Sequence, residues 1–205
     1  MKNRYSYSPM NKISRSGLIE TVYIMGLSLF GRVRSFFSIL GLRMRGYDIH
    51  TSVMIGMQAL FFQSQQHSIR VLEGTAIGNG VRLKAGFAGE IHIGRNVLIE
   101  DFTSIYAHKT LTIGDNTMIS TGCFITDFDH NYPHSKFKHL LLSEDGYTAK
   151  TTTIGKNVWI GTNCCILKGV AIGDDAVIGA GSVVTKSVPA GHVAVGVPAH
   201  TLGKP

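Results

Sequence analysis

Cysteine is scarce in this chain: Cys123, Cys164 and Cys165 are the whole supply. Three thiols at these positions make neither a disulfide framework nor a C-x-x-C metal pair, and they suit a reducing compartment. Proline is also rare, five residues against 24 glycines, which points to tight corners in ordered structure rather than to a linker. Long apolar runs are missing. The longest charge-free stretch of the N-terminal region, Thr21 to Gly31, falls well short of the ~20 residues that span a bilayer. No small-x-small site follows it, so a cleavable export signal is poorly supported.

Acidic charge is under-represented, leaving a net charge of +7. The excess is local. Residues 1–50 hold eight Lys/Arg against Glu20 and Asp48, whereas the other 155 residues are close to neutral. This is a neutral body with a basic arm, and the chain shows no helix-turn-helix pattern and no aromatic-basic platform, so nucleic-acid binding is not expected. The arm, residues 1–48, contains "SGLIETVYIMGLSLFGRVRSFFSILGLRMRG" (Ser16–Gly46), apolar with a basic edge. It reads as one or two amphipathic helices. Two roles suit them: lying on an anionic membrane surface with Arg32, Arg34, Arg43 and Arg45 at the headgroups, or covering the open end of a repeat stack.

What the chain has in abundance is a six-residue beat. Aliphatic or aromatic markers fall in triplets spaced by six: Ile49, Ile55, Phe61; Val71, Ile77, Leu83; Ile93, Ile99, Ile105; Ile113, Ile119, Ile125; Ile154, Ile160, Ile166; and Ile172, Ile178, Val184. Four residues after most markers sits a small or β-branched residue, such as Thr75, Val97, Thr117, Cys123, Cys164 or Ser182. Between them lie corners such as "IGNG", "IGDN" and "IGKN". Neither a helical nor a simple strand period fits. One short strand and one corner per hexad, three hexads per turn, gives an all-β triangular coil with its markers inside, stacked about six times at ~4.8 Å. Gly, Asn and Asp belong at such corners because these need unusual backbone angles.

The beat is interrupted only after third hexads, so every insertion emerges at one corner of the triangle. Ile125 to Ile154 is by far the longest gap, giving an inserted loop over 126–153 inside a repeat domain of 49–189, with a cap over 190–205. Loops on one edge of a solenoid usually form its working surface. The loop opens with "DHNYPHSKF" (Asp129–Phe137), acids, histidines and aromatics in place of the repeat.

Ile49 to Pro198 resembles the hexapeptide-repeat acyltransferases, and "IGKNVWIGTNCCILKGVAIGDDAVIGAGSVVTKSVPAGHVAVGVPA" (Ile154–Ala199) matches their C-terminal signature nearly throughout. The likeness is greatest to the O-acetyltransferases of sugars and bacterial surface polysaccharides. It implies a left-handed parallel β-helix, a homotrimer, acetyl-CoA as donor without a metal, a sugar acceptor, small or lipid-linked, and a cytoplasmic location, peripheral to the membrane if residues 16–46 touch it. His130 holds the family's place for the catalytic base. An imidazole, ordinarily titrating at about 6.5, can take a sugar hydroxyl's proton near pH 7, with backbone N–H groups beside it steadying the oxyanion. Asp127 and Asp129 are expected to orient the ring or the acceptor, or to cap the turn, the turn role being favoured for Asp129.

By the same resemblance Glu100 and Asp101 stand where relatives contact sugar, although Glu100 replaces the usual Asn. Trp159, Thr162 and Ala180 would flank the pantetheine arm, and Thr185 and Lys186 the adenosine 3′-phosphate. His200 stands where relatives often carry Arg, which leaves Lys204 as a substitute cation. His108 and Lys109 read mainly as surface residues, His134 and His139 as solvated loop residues, and Cys123 and Cys164 as interior packing. Two alternatives share the fold: a γ-carbonic-anhydrase-like zinc lyase using His108, His130 and His134, and an amino-sugar N-acetyltransferase.

Overall fold

The structure, a computed structural model, describes residues 15–131 and 146–204, with side chains from Leu29 onward. Three parallel sheets form the sides of a left-handed triangular β-helix of about six turns. Sheet one runs in the order Asp48–Ile49, Ile69–Val71, Glu90–Ile93, Thr110–Ile113, Thr152–Ile154, Ala171–Ile172. Sheet two stacks Met54–Ile55, Ala76–Ile77, Leu98–Ile99, Met118–Ile119, Trp159–Ile160 and Val177–Ile178. Sheet three stacks Leu60–Gln63, Arg82–Ala85, Ser104–Ala107, Phe124–Thr126, Cys165–Ile166 and Val183–Val184.

The six-residue beat sets the register. Ile49 pairs with Val71, Val71 with Ile93, Ile93 with Ile113, Ile113 with Ile154 and Ile154 with Ile172. The other two marker columns stack in the same way, and the long insertion shifts nothing. Ile99, Ile119, Ile125, Ile160 and Ile166 are wholly buried, each contributing roughly 1.5–3 kcal/mol by leaving water.

The smaller inward positions stitch turn to turn. Thr75, Thr103 and Thr117 donate through Oγ1 to the carbonyls of Gly94, Ser120 and Gly155 at 2.9, 3.1 and 2.8 Å. Each also accepts a backbone N–H, from Val97, Cys123 and Val158. Cys123 and Cys164 donate in the same manner, Sγ to the carbonyls of Gly161 and Gly179 at 3.2 and 3.1 Å. A thiol thus fills a place that elsewhere needs a hydroxyl. At one corner Asn96, Asn116, Asn157 and Asp175 all hold left-handed backbone angles, φ between 53° and 60°. Their side chains bond along the axis at 3.3, 3.2 and 3.1 Å.

Both ends are covered. The N-terminal arm forms one helix, α1 (Arg15–Met44), which stops at Gly46, a glycine at φ 82° whose N–H donates to Arg43 O, as helix C-termini commonly do. Ile39 is buried against the first turn of the coil. Ser35 Oγ accepts from Ile55 N–H at 3.0 Å and donates to Ile55 O at 3.3 Å, while the Arg34 guanidinium donates to the same carbonyl. Side chains of α1 therefore close the edge of the first turn at Ile55, in sheet two. At the other end Val193–Gly196 adds a parallel strand to sheet two and folds back antiparallel on Ala199–Gly203.

Candidate active site

All four insertions join sheet three to sheet one, so they share a corner, as the spacing requires. Here the longest insertion begins. Thr126 ends its strand, Asp127 turns the chain, and Phe128–His130 pairs antiparallel with Tyr147–Ala149, His130 opposite Tyr147. Lys150 N–H donates to Asp127 O at 2.7 Å and Thr152 Oγ1 to Thr126 O at 3.0 Å, fixing the base of this hairpin. His130 is exposed at its outer end.

Asp127 has no exposed surface. Its two carboxylate oxygens accept the backbone N–H groups of His108 and Lys109 at 2.7 and 2.8 Å. Burial raises its pKa, an effect opposed by these N–H donors. The expectation that Asp127 contacts an acceptor is corrected here: its carboxylate is consumed beneath the site, binding one insertion to the next. Asp129 is exposed and pairs with Lys168 from the following turn. The backbone donors expected beside the base are partly spent too, since Asn131 N–H donates to Gly146 O at 2.9 Å.

His108 departs furthest from expectation. It is 8% exposed and lies flat on Phe128, with ring centroids 3.7 Å apart and planes 2° from parallel. Tyr147 and Phe87 meet it edge-on at 4.5 and 5.0 Å, and Phe128 meets His130 edge-on at 5.6 Å. His108 Nδ1 is buried without a hydrogen-bond partner among the described residues. Its pKa is pushed down to about 4, first by burial and then by the charges of Lys84 and His130. A second, neutral imidazole therefore sits beneath the exposed one, inside an aromatic cluster drawn from three turns. The sequence signal for this is slight: Phe87, four residues after Leu83, is a large apolar residue where most such positions are small, and Phe128 and Tyr147 carry none.

Glu100 and Asp101 occupy a different corner, between sheets two and three. Asp101 Oδ1 accepts Asn79 N–H at 2.7 Å, the bond that Asp115 and Asp174 make to Arg95 and Lys156 at another corner. Glu100 Oε2 accepts from Thr121 N–H and Oγ1 at 3.1 and 3.2 Å. Thr162 and Ala180, both exposed, lie along this same edge two and three turns further on. Gly161 is obligatory there, because a Cβ on it would stand 2.6 Å from Ala180 N. Trp159 projects from sheet two, half exposed, with Nε1 donating to Ser120 Oγ at 3.4 Å. Thr185 and Lys186 are exposed on the His130 corner, two turns beyond it, or ~10 Å along the axis.

One chain therefore brings His130, Thr185 and Lys186 to one edge, and Glu100, Asp101, Thr162 and Ala180 to another. A groove of about 630 Å³ with Arg70, His92, Thr112 and Lys156 in its walls runs along sheet one and includes neither set. Among the described residues no three His, Cys, Asp or Glu side chains gather as metal ligands. His134 and His139 lie outside the described residues.

Known proteins align with this scaffold. A family model described as the hexapeptide repeat of succinyl-transferase matches residues 151–186. The putative lipopolysaccharide biosynthesis O-acetyl transferase WbbJ of Escherichia coli K12 is 38% identical over 145 residues, covering 67% of this chain and 72% of that protein. The crystal structure of a maltose O-acetyltransferase from Clostridium difficile 630 is 31% identical, covers 73% of this chain and 68% of its own, and superposes with a TM-score of 0.53. A galactoside acetyltransferase solved in complex with coenzyme A is 32% identical, with coverages of 72% and 65% and a TM-score of 0.53.

Proposed function

Since the chain belongs to the hexapeptide-repeat acyltransferases, in the branch of the sugar O-acetyltransferases, we propose that it moves the acetyl group of acetyl-CoA to a sugar hydroxyl of a surface polysaccharide or its precursor. The observation that carries this reading is His130: an exposed imidazole at the opening of the longest insertion, held on a hairpin whose base is fixed by Asp127. His130 takes the hydroxyl proton as the oxygen attacks the thioester carbonyl carbon. The C–S bond then breaks, and the imidazolium returns the proton to the CoA thiolate, leaving an ester and free CoA. No enzyme nucleophile is required. The hydrogen bond with the Cys164 side chain, and then burial, push the Cys123 thiol up, as suits a packing residue.

Trp159, Thr162 and Ala180 are assigned to the pantetheine arm, and Thr185 and Lys186 to the 3′-phosphate. The division of these residues between two edges supports a site made by two neighbouring protomers of a homotrimer, one supplying the His130 edge and the other the Thr162 edge. The outer face of sheet two supports such packing. Met54, Ala76, Leu98, Met118, Trp159 and Val177 follow one another in register as an unbroken apolar column. For a lipid-linked acceptor the reaction belongs at the inner face of the cytoplasmic membrane.

A CoA-release assay over a panel of sugars, amino sugars and glycan intermediates tests the reading. Wild type is expected to release CoA with a hydroxyl acceptor. His130→Ala is expected to lose at least ~100-fold in turnover with acetyl-CoA affinity retained. Equal rates for the two proteins remove His130 from its role, and turnover with amino sugars alone makes the enzyme an N-acetyltransferase.

A further inference from the structure

The helix α1 covers the end of the coil with only one of its faces. Ser35, Ile39 and Leu42, at helical spacing, turn toward the first turn of the coil. On the opposite side Leu29, Phe30, Val33, Phe36, Phe37 and Leu40 are all exposed, from 48% to 66%, and Met44 continues the line at 82%. At 3.6 residues per turn these positions fall within a stripe roughly 120° wide, facing away from the protein. Phe36 and Phe37 meet edge to face at 5.7 Å, and more than half of each stays exposed. An apolar face this continuous marks an interaction surface.

The charges around the stripe select its occupant. On the same helical wheel Arg32 and Arg43 border one edge, and Arg34 borders the other with its guanidinium bonded to the coil at Ile55 O. Glu20 is the one acid in the helix sequence, and Lys2, Arg4 and Lys12 precede the helix. A second copy laid on this stripe would bring arginines toward arginines with no carboxylate to meet them. A surface that takes phenylalanine and leucine side chains at its centre and cations at its border is a lipid layer with anionic headgroups. The helix lies on such a layer rather than crossing it: among the described residues no helix is long and apolar enough to span a membrane.

We propose that α1 is a membrane-docking element, inserting Phe30, Val33, Phe37 and Leu40 between the lipids of an anionic surface while Arg32 and Arg43 pair with their phosphates. The proposal stands apart from the acyl-transfer reading, because the stripe, Arg32 and Arg43 lie on α1, whereas His130, Trp159, Thr162, Ala180, Thr185 and Lys186 lie on later turns of the coil.

The test is sedimentation of the full-length protein with vesicles of phosphatidylcholine, with and without phosphatidylglycerol. Binding is expected only with phosphatidylglycerol and is expected to weaken as salt rises. The variants Phe30→Ser/Phe37→Ser and Arg32→Glu/Arg43→Glu are each expected to lower partition at least ~10-fold, with far-UV circular dichroism and CoA release toward a soluble acceptor unchanged. Failure of wild type to sediment with anionic vesicles, or undiminished sedimentation of the phenylalanine variant, overturns the proposal. So does a fall in oligomer mass in that variant without any vesicle binding by wild type, which would give the stripe to a second copy of the chain.

Discussion

His108 lies parallel on Phe128 at 3.7 Å, and the far side of the pair leads to His130. Burial, and then the charges of Lys84 and His130, push the pKa of His108 down to about 4 from 6.5. Between those values the unfolded chain holds about one more proton than the folded one, so stability falls as the pH drops from about 6.5 toward 4. His108→Phe keeps a ring in the cluster and removes this proton. Urea midpoints measured across the window are expected to slope less steeply for His108→Phe than for wild type; parallel slopes refute the assignment.

Asp127→Asn replaces a carboxylate that accepts two backbone N–H groups by an amide with one oxygen. One of the donors from His108 and Lys109 then faces an NH2 group inside the protein. The cost is expected at about 1–3 kcal/mol in chemical denaturation. Turnover is expected to fall as well, because the hairpin that carries His130 rests on this carboxylate.

Two glycines separate the demands of coil and helix. A Cβ on Gly114 would stand 2.6 Å from the backbone of Gly155 in the next turn, and one on Gly41 would meet nothing within 4 Å. Gly114→Ala is expected to destabilise by about 1–3 kcal/mol. Gly41→Ala is expected to stabilise by up to about 1 kcal/mol, the helix propensity difference. Melting temperatures moving in the same direction would contradict the packing described.

Lys186→Ala is expected to raise the KM for acetyl-CoA roughly tenfold with kcat little changed, the cost of one charge-assisted contact. With a donor lacking the 3′-phosphate the two proteins should perform alike. A deficit that persists with that donor takes Lys186 away from the phosphate.

Much of this architecture was legible in the sequence because the repeat is one-dimensional. A spacing of six fixes which residue points inward, and three spacings close a turn, so the pairing of Ile113 with Ile154 across the long insertion followed from counting. The corner carrying the insertions followed in the same way. The period says nothing of contacts between insertions. The burial of Asp127, the enclosure of His108 by Phe87, Phe128 and Tyr147, and the pairing of Asp129 with Lys168 depend on loops from different turns meeting. The period does not show either that Asp101 would bond Asn79 N–H, a duty that Asp115 and Asp174 perform at another corner. The final hairpin escaped because Val193–Gly196 leaves the beat and continues sheet two by its own geometry.

The bonds from Ser35 to both polar groups of Ile55 carry a consequence for solubility. A β-helix whose first turn lies bare offers unpaired strand edges to any other exposed edge, whereas the far end stays covered by its own hairpin. By occupying that position α1 acts as a terminator. Chains shortened past the helix should lose solubility by associating through that one bare end.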